Sequence, residues 1–261
     1  MCYSLADGGR RCRIRKHLEP LGLDEVRPDQ RDDRPDVDWG AEQAPAHLWQ
    51  KHPDRVAAEA MGSLLDVRDE EERITTDVMT ACTAEGRRPH GLEFRMKSPS
   101  SLARKINERV DRNDLPPGEV ADRLTDLIRY TVACRDHGRL TETAQDVVES
   151  MQRSGYRVIE AESTYVDGNP YKGLHMLLQG PGESTRTFEL QVHSELSQRT
   201  KDEIHLDYEV FRDTKASRAT REAAWHRMVE ASSHVPNPAG LADLHELGGV
   251  KVEQVDRSRS R

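Results

Sequence analysis

Cysteine is scarce and unpatterned in this chain of 261 residues: Cys2, Cys12, Cys82 and Cys134 show no framework spacing, so no disulfide scaffold is required. Cys134 closes an apolar run, a common place for a buried free thiol. Cys2, Cys12 and His17 could share a metal, but their separation matches no usual zinc knuckle, and a leader without metal is the alternative. No apolar run approaches the length of a membrane span, and arginines interrupt every apolar stretch of Met1 to Pro20, which excludes a signal-peptide core. A soluble cytoplasmic protein is the expectation. Positive charge is not in excess: the formal net charge is −8, which argues against a general nucleic-acid coat and confines any polyanion binding to a local groove. There is no internal repeat, and the basic tail RSRSR, expected to be disordered, is the sole low-complexity segment.

With 33% charged residues, 35% hydrophobic residues and a mean hydropathy of −0.83, the chain is too polar to be one globule from end to end. One core domain with polar ends fits better. The expected organisation is a leader and linker over 1–54, a domain over 55–233 with its core at 92–212, and a C-terminal tail over 234–261. The segment RPDQRDDRPDVDWGAEQAP, rich in Asp, Arg and Pro, reads as a linker or extended arm.

Leu64, Val67, Ile74 and Val78 recur at helical intervals between His47 and Thr83, which predicts two helices or one broken near Gly62. A short strand over Leu92 to Lys97 follows, then a helix to Val110 with Ser98 as its cap and Pro99 at its first position. RLTDLIRYTVACR predicts a core strand and TETAQDVVESMQRSGY a helix with Ala144, Val147, Val148 and Met151 on one side. YRVIEAEST, YKGLHMLLQ and TRTFELQVH read as strands, with GPGES as a hairpin turn. Helices then run from Ser194 to about Arg212 and from Ala216 to about Ser232. The fold class is α/β (α+β), a mixed central sheet flanked by helices.

In FELQVH, Glu189, Gln191 and His193 share one strand face while Phe188, Leu190 and Val192 fill the other. In RMKSPSSLARK, Arg95 and Lys97 alternate onto one face, and Ser101 and Lys105 lie one turn apart on the next helix. Three cations and a hydroxyl at a helix N-terminus make a polyphosphate cradle, or else a solvated basic face. Asp126 stands at the mouth of an apolar strand, and with Glu189 it could bind Mg²⁺; alternatively it caps the preceding segment and Glu189 faces solvent. Tyr171, Gly173 and His175 share a face, open enough to stack a purine, or to form a cross-strand aromatic pair. His205, Tyr208 and Arg212 follow helical spacing, with Ile204 and Phe211 turned inward.

In this order, Arg95, Lys97, Ser101 and Lys105, then Asp126, Tyr171 and His175, Glu189 and Gln191, and His205 with Tyr208 resemble the RelA/SpoT-type synthetase domain, over about residues 92–212. That nucleotidyltransferase-like family moves pyrophosphate from ATP to the ribose 3′-hydroxyl of a purine nucleotide. The resemblance implies that Arg95, Lys97 and Lys105 hold ATP phosphates with help from Ser101, that Asp126 and Glu189 position Mg²⁺, and that Tyr171 stacks on the acceptor base. Glu189 would also help deprotonate the 3′-hydroxyl, and Gln191, His175 and His205 would orient ribose or phosphates. The chain departs from the family at His193 and Ser194, where Arg-Thr is usual, at Gly173, where serine is usual, and at Arg129, two positions before the expected arginine. A titratable His193 in place of a fixed cation implies a pH-dependent rate. The wording looks closer to stand-alone nucleotide 3′-pyrophosphokinases and related toxin domains than to long housekeeping enzymes, which implies a synthetase without an attached hydrolase, making (p)ppApp- or (p)ppGpp-type products. The alternatives are pyrophosphorylation of the tRNA 3′ end, for which RRCRIRKH and RSRSR would supply basic arms, and a nucleotide-binding module without turnover, which the retained carboxylates and cations disfavour.

Overall fold

The computed structural model describes residues 22–40, 45–182 and 187–257. Its strands are β1 (Arg87–His90), β2 (Arg129–Cys134), β3 (Arg157–Ser163), β4 (Leu174–Gln179), β5 (Thr187–Ser194), β6 (Glu246–Leu247) and β7 (Val250–Gln254). The helices are α1 (Leu23–Val26), α2 (Pro45–Lys51), α3 (Asp54–Ala81), α4 (Pro99–Asn113), α5 (Pro117–Asp122), α6 (Leu140–Arg153), α7 (Glu195–Glu203), α8 (His205–Arg212) and α9 (Arg218–Ser233). Among the described residues the strands form one mixed sheet in the order β1-β2-β5-β4-β3-β7-β6. The pairs β2/β5 and β3/β7 are parallel and the others antiparallel. Helices flank this sheet, as an α+β fold requires.

Local chemistry accounts for the main elements. Ser98 caps α4 by accepting the Ser101 amide, and Pro99 takes the first position, where a missing N–H costs nothing. Along α6, Leu140, Ala144, Val147, Val148 and Met151 form one buried stripe. In β5, Phe188, Leu190 and Val192 are buried in the core, where Phe188 meets Tyr130 and Tyr156 edge-on at centroid distances of 5.9 and 5.5 Å.

Four expectations need correction. The helical break falls at His52 and Pro53, not near Gly62, because Pro53 cannot continue α2 but fits ahead of the first turn of α3. Leu92 to Lys97 is no strand: Leu92–Phe94 is a 3₁₀ turn, Arg95 has helical dihedrals, and only Met96 bridges to Ile128. The linker is docked where it is described, with Val26, Val37 and Trp39 buried and the Trp39 indole donating to the Met96 carbonyl at 3.2 Å.

The fourth concerns the tail, whose described part is integral to the fold. Gly248 and Gly249, at φ 60° and 82°, form a two-residue turn between β6 and β7, a conformation that glycine adopts without penalty. β7 then joins β3, and Val235, Leu241, Leu244, Leu247 and Val252 enter the core. The Cys2, Cys12 and His17 grouping, RRCRIRKH, most of RSRSR, and Glu183 and Ser184 of the GPGES turn lie outside the described residues. No helix among the described residues is long and apolar enough to cross a membrane.

Candidate active site

One half of the site is built where α4 meets the entry to β2. The Lys97 amide donates to the Leu127 carbonyl and the Arg129 amide to the Arg95 carbonyl, each at 2.8 Å, which lays residues 95–97 along the start of β2. Lys105, one turn beyond Ser101, projects from α4 toward the same place. Asp126 Oδ2 accepts from Lys97 Nζ at 2.8 Å and from Lys105 Nζ at 2.7 Å. Burial alone would push the Asp126 carboxyl up, but the two ammonium groups outweigh it and hold it below the ordinary carboxylate range. Burial pulls Lys97 down, with Asp126 opposing. Asp126 Oδ1 is buried with no hydrogen-bond partner among the described residues.

The other half lies on β4, β5 and α7. Glu189 Oε1 accepts from Gln191 Nε2 at 2.6 Å and stands 3.5 Å from His175 Nδ1. Gln191 Oε1 in turn accepts from Lys201 Nζ at 2.8 Å, which orients the amide. The Tyr171 hydroxyl bonds both His175 Nε2, at 2.6 Å, and His193 Nε2, at 2.7 Å. Burial, then repulsion from Arg257, Lys201 and Arg129, pulls His175 down to about 3. Burial pulls His193 well below its ordinary value, with Lys201 adding to it. Both imidazoles are neutral at physiological pH. Burial, helped by Arg129, also draws Lys201 down to about 8.

Arg129 joins the halves. It pairs in register with Glu189 across β2 and β5, and its charge acts on both Lys97 and Lys201. Its side chain is exposed and has no bonding partner among the described residues.

Arg95 stands apart from this assembly. It is 2% exposed and its guanidinium binds Glu71 at 2.5 Å and the carbonyls of Pro35 and Leu92 at 2.8 Å, so its Nε and Nη1 donors are spent inside the protein. The reason is the helical backbone at residue 95, which breaks the alternation that would put Arg95 beside Lys97. Ser101 is half-buried, with its amide used by the cap. His205 and Tyr208 are exposed on α8, where Tyr208 lies under the Arg212 guanidinium at 5.7 Å, and neither bonds the cluster among the described residues. Tyr171 is no open platform: its hydroxyl is engaged, and Lys201 Nζ sits 5.8 Å from its ring centroid. His193 is wholly buried, so it supplies no titration near neutrality.

Two residues escaped the sequence reading. Lys201 carried a legible signal, since it falls one helical turn from both Ser197 and His205. Arg257 carried none. Its amide donates to Asn169 Oδ1 at 2.7 Å, and its guanidinium lies 3.6 Å from Glu162, the cross-strand partner of His175.

Among the described residues no group of three or more His, Cys, Asp or Glu could hold a metal by itself. The unsatisfied Asp126 Oδ1 nevertheless fits a hard cation that completes its shell with substrate phosphates and water, the usual arrangement for Mg²⁺.

No family model matches the chain, and no curated protein matches it. Among solved structures it is similar to small alarmone synthetase 1 from Bacillus subtilis, at 15% identity and a TM-score of 0.47, covering 66% of this chain and 87% of that one. It is similar to the same enzyme bound to its product pppGpp, at 16% identity and a TM-score of 0.46, covering 66% and 87%. It is also similar to a GTP pyrophosphokinase family protein from Streptococcus pneumoniae, at 14% identity and a TM-score of 0.39, covering 75% and 94%. Likenesses at this level carry no chemistry across, so the functional reading rests on the residues of the site.

Proposed function

We propose that the chain is a RelA/SpoT-type nucleotide 3′-pyrophosphokinase, which transfers the β,γ-pyrophosphate of ATP to the ribose 3′-hydroxyl of a purine nucleotide and releases AMP. The observation behind this reading is the joining, through Arg129, of two unlike carboxylate sites on one sheet. Asp126 is clamped by two lysines and keeps one unsatisfied oxygen; Glu189 accepts from the neutral Gln191 amide and stands 3.5 Å from the neutral His175 imidazole.

Lys97 and Lys105 would exchange part of their pairing with Asp126 for the phosphates of ATP, and Arg129 would neutralise charge on the transferred group. Asp126 and Glu189 would hold Mg²⁺, which when bound supplies charge neutralisation to the polyphosphate. Glu189 accepts the proton of the 3′-hydroxyl as its oxygen bonds to the β-phosphorus, while the bond from the β-phosphorus to the α,β-bridging oxygen breaks and that oxygen leaves with AMP. Tyr171, His175, Gln191 and Lys201 would line the acceptor side.

The test is incubation with Mg²⁺ and ATP labelled on its γ-phosphate, with AMP, ADP, GDP, GTP or deacylated tRNA added separately. Label in a 3′-pyrophosphorylated nucleotide, with AMP formed in step, supports the proposal and names the acceptor. Label confined to tRNA, or no transfer to any acceptor, overturns it.

A further inference from the structure

His193 cannot touch a substrate, since it is 0% exposed, yet it is bonded at both ring nitrogens. Nε2 bonds the Tyr171 hydroxyl and Nδ1 bonds the Ser197 hydroxyl, which also accepts the Ser194 amide at 3.0 Å and reaches the Ser194 carbonyl at 3.3 Å as the capping partner of α7. The Tyr171 hydroxyl in turn bonds His175 Nε2, and His175 Nδ1 stands 3.5 Å from Glu189 Oε1. Ser197, His193, Tyr171 and His175 thus form one chain of contacts that ends at Glu189. The shorter chain from Lys201 through Gln191 ends on the same oxygen.

Room for His193 comes from one position. A Cβ at Gly173 would lie 2.5 Å from His193 Cε1, closer than real contacts allow, and a tight 3.0 Å from His175 Nε2. Neither side can retreat. The imidazole is tied at both ends, and the Gly173 backbone is tied to Thr164, donating to Thr164 Oγ1 at 2.9 Å and accepting from the Thr164 amide at 3.0 Å. The departures at 173 and 193 noted in the sequence are therefore a single change: the imidazole occupies the space that a side chain at 173 would fill.

We propose that His193 is a positioning residue for Glu189, acting through Tyr171 and His175, and that Gly173 is glycine because His193 fills its side-chain space. The proposal rests on Glu189 being the carboxylate that meets the acceptor hydroxyl. The experiment measures kcat, the KM for ATP and Tm for the wild type, His193→Ala, His193→Gln, Gly173→Ala and the double variant Gly173→Ala/His193→Ala. His193→Ala should lower kcat by about 10- to 100-fold with the KM for ATP unchanged, as loss of an orienting partner does. His193→Gln, whose amide can bond the Tyr171 hydroxyl in place of Nε2, should recover most of that loss. Gly173→Ala should lower Tm, and the double variant should melt higher than Gly173→Ala alone. An unchanged kcat in His193→Ala, no recovery in His193→Gln, or a KM for ATP rising in step overturns the positioning role. Additive Tm changes overturn the pairing of Gly173 with His193. A wild type that transfers no pyrophosphate overturns the functional reading and the positioning role together, while the Tm cycle still decides the packing pair.

Discussion

Lys201 gives this site a pH dependence whose sign differs between activity and stability. Its ammonium gives up its proton near pH 8, against 10.5 for an ordinary lysine, because burial and Arg129 disfavour the charge. At that value roughly nine-tenths of the side chain is charged at pH 7 and one-tenth at pH 9. If its charge holds an anionic substrate, kcat/KM falls about tenfold per pH unit above 8. Stability moves the other way. Between about 8 and 10.5 the unfolded chain keeps the Lys201 proton while the folded one has lost it, so this group makes stability rise with pH across that window.

Below pH 8 the buried charge therefore costs on the order of 3 kcal/mol, and Lys201→Met removes it. Leaving Gln191 Oε1 without its donor returns about 1 kcal/mol of that gain. The net stabilisation of about 2 kcal/mol at pH 7 corresponds to a Tm increase of roughly 4–8 °C in a chain of this size. The gain should vanish, then reverse, as pH rises through 8 toward 10.5. The assays are pH profiles of kcat/KM for the wild type, Lys201→Arg and Lys201→Met, beside thermal melts at each pH. Lys201→Arg, always charged, should lose the alkaline fall, and Lys201→Met should be slow throughout yet melt higher at pH 7. A wild-type profile flat from pH 7 to 9.5, or the same fall in Lys201→Arg, refutes the assignment of the charge to binding.

Asp126→Asn should lower turnover by at least about 100-fold, as removal of a transition-state electrostatic partner does. It should also flatten the acid limb of unfolding below pH 4, because a carboxyl with a lowered folded pKa contributes stability that is lost as pH falls through that value. Arg95→Met should cost about 3–5 kcal/mol in denaturant melts, with Glu71→Met/Arg95→Met recovering most of it and the KM for ATP unmoved in both; a raised KM at unchanged stability would return Arg95 to the phosphates. Deleting residues 250–257 should lower Tm and open the Tyr171 loop to protease, since Asn169 ties that loop to the Val255 carbonyl at 2.8 Å and to the Arg257 amide.

The elements with a strong local signal were legible: α4 through its Ser98-Pro99 start, α6 through its apolar stripe, β2, β4 and β5 through apolar runs or alternation. β1 was not, because RRPH carries charges and a proline on an edge strand, with no apolar alternation to read. β7 and the 22–40 segment hid for another reason. Their few anchors, Val252 in one and Val26, Val37 and Trp39 in the other, are separated by charges that average composition counts as polar, while Arg34 pairs with Thr76 and the Glu72 carbonyl on α3. Within the site, period-two and one-turn spacings placed Lys97 with Lys105 and Glu189 with Gln191. The same rule misplaced Arg95, since alternation presumes an extended backbone. Alternation also names a face without naming its depth: whether His193 stands at the surface or inside is decided by Gly173 and Ser197, distant in sequence or on another element.

The two carboxylates divide the chemistry by their surroundings. Asp126 shares one oxygen with two ammonium groups, so any anion that recruits Lys97 or Lys105 must also loosen their hold on Asp126 and free that carboxylate for a cation. In the proposed reaction, phosphate and cation binding would be coupled there through a shared pair of charges. Glu189 has no such trade to make. Its neighbours are the neutral Gln191 amide that donates to it and a neutral imidazole 3.5 Å away, each fixed from behind, by Lys201 in one case and by Tyr171 with His193 in the other. A carboxylate held by neutral donors keeps its orientation when polyphosphate arrives, whereas one held by ammonium groups does not. Asp126 therefore suits the electrostatic role and Glu189 the directional one, and exchanging the two by Asp126→Glu/Glu189→Asp should abolish turnover even though the total charge of the site is preserved.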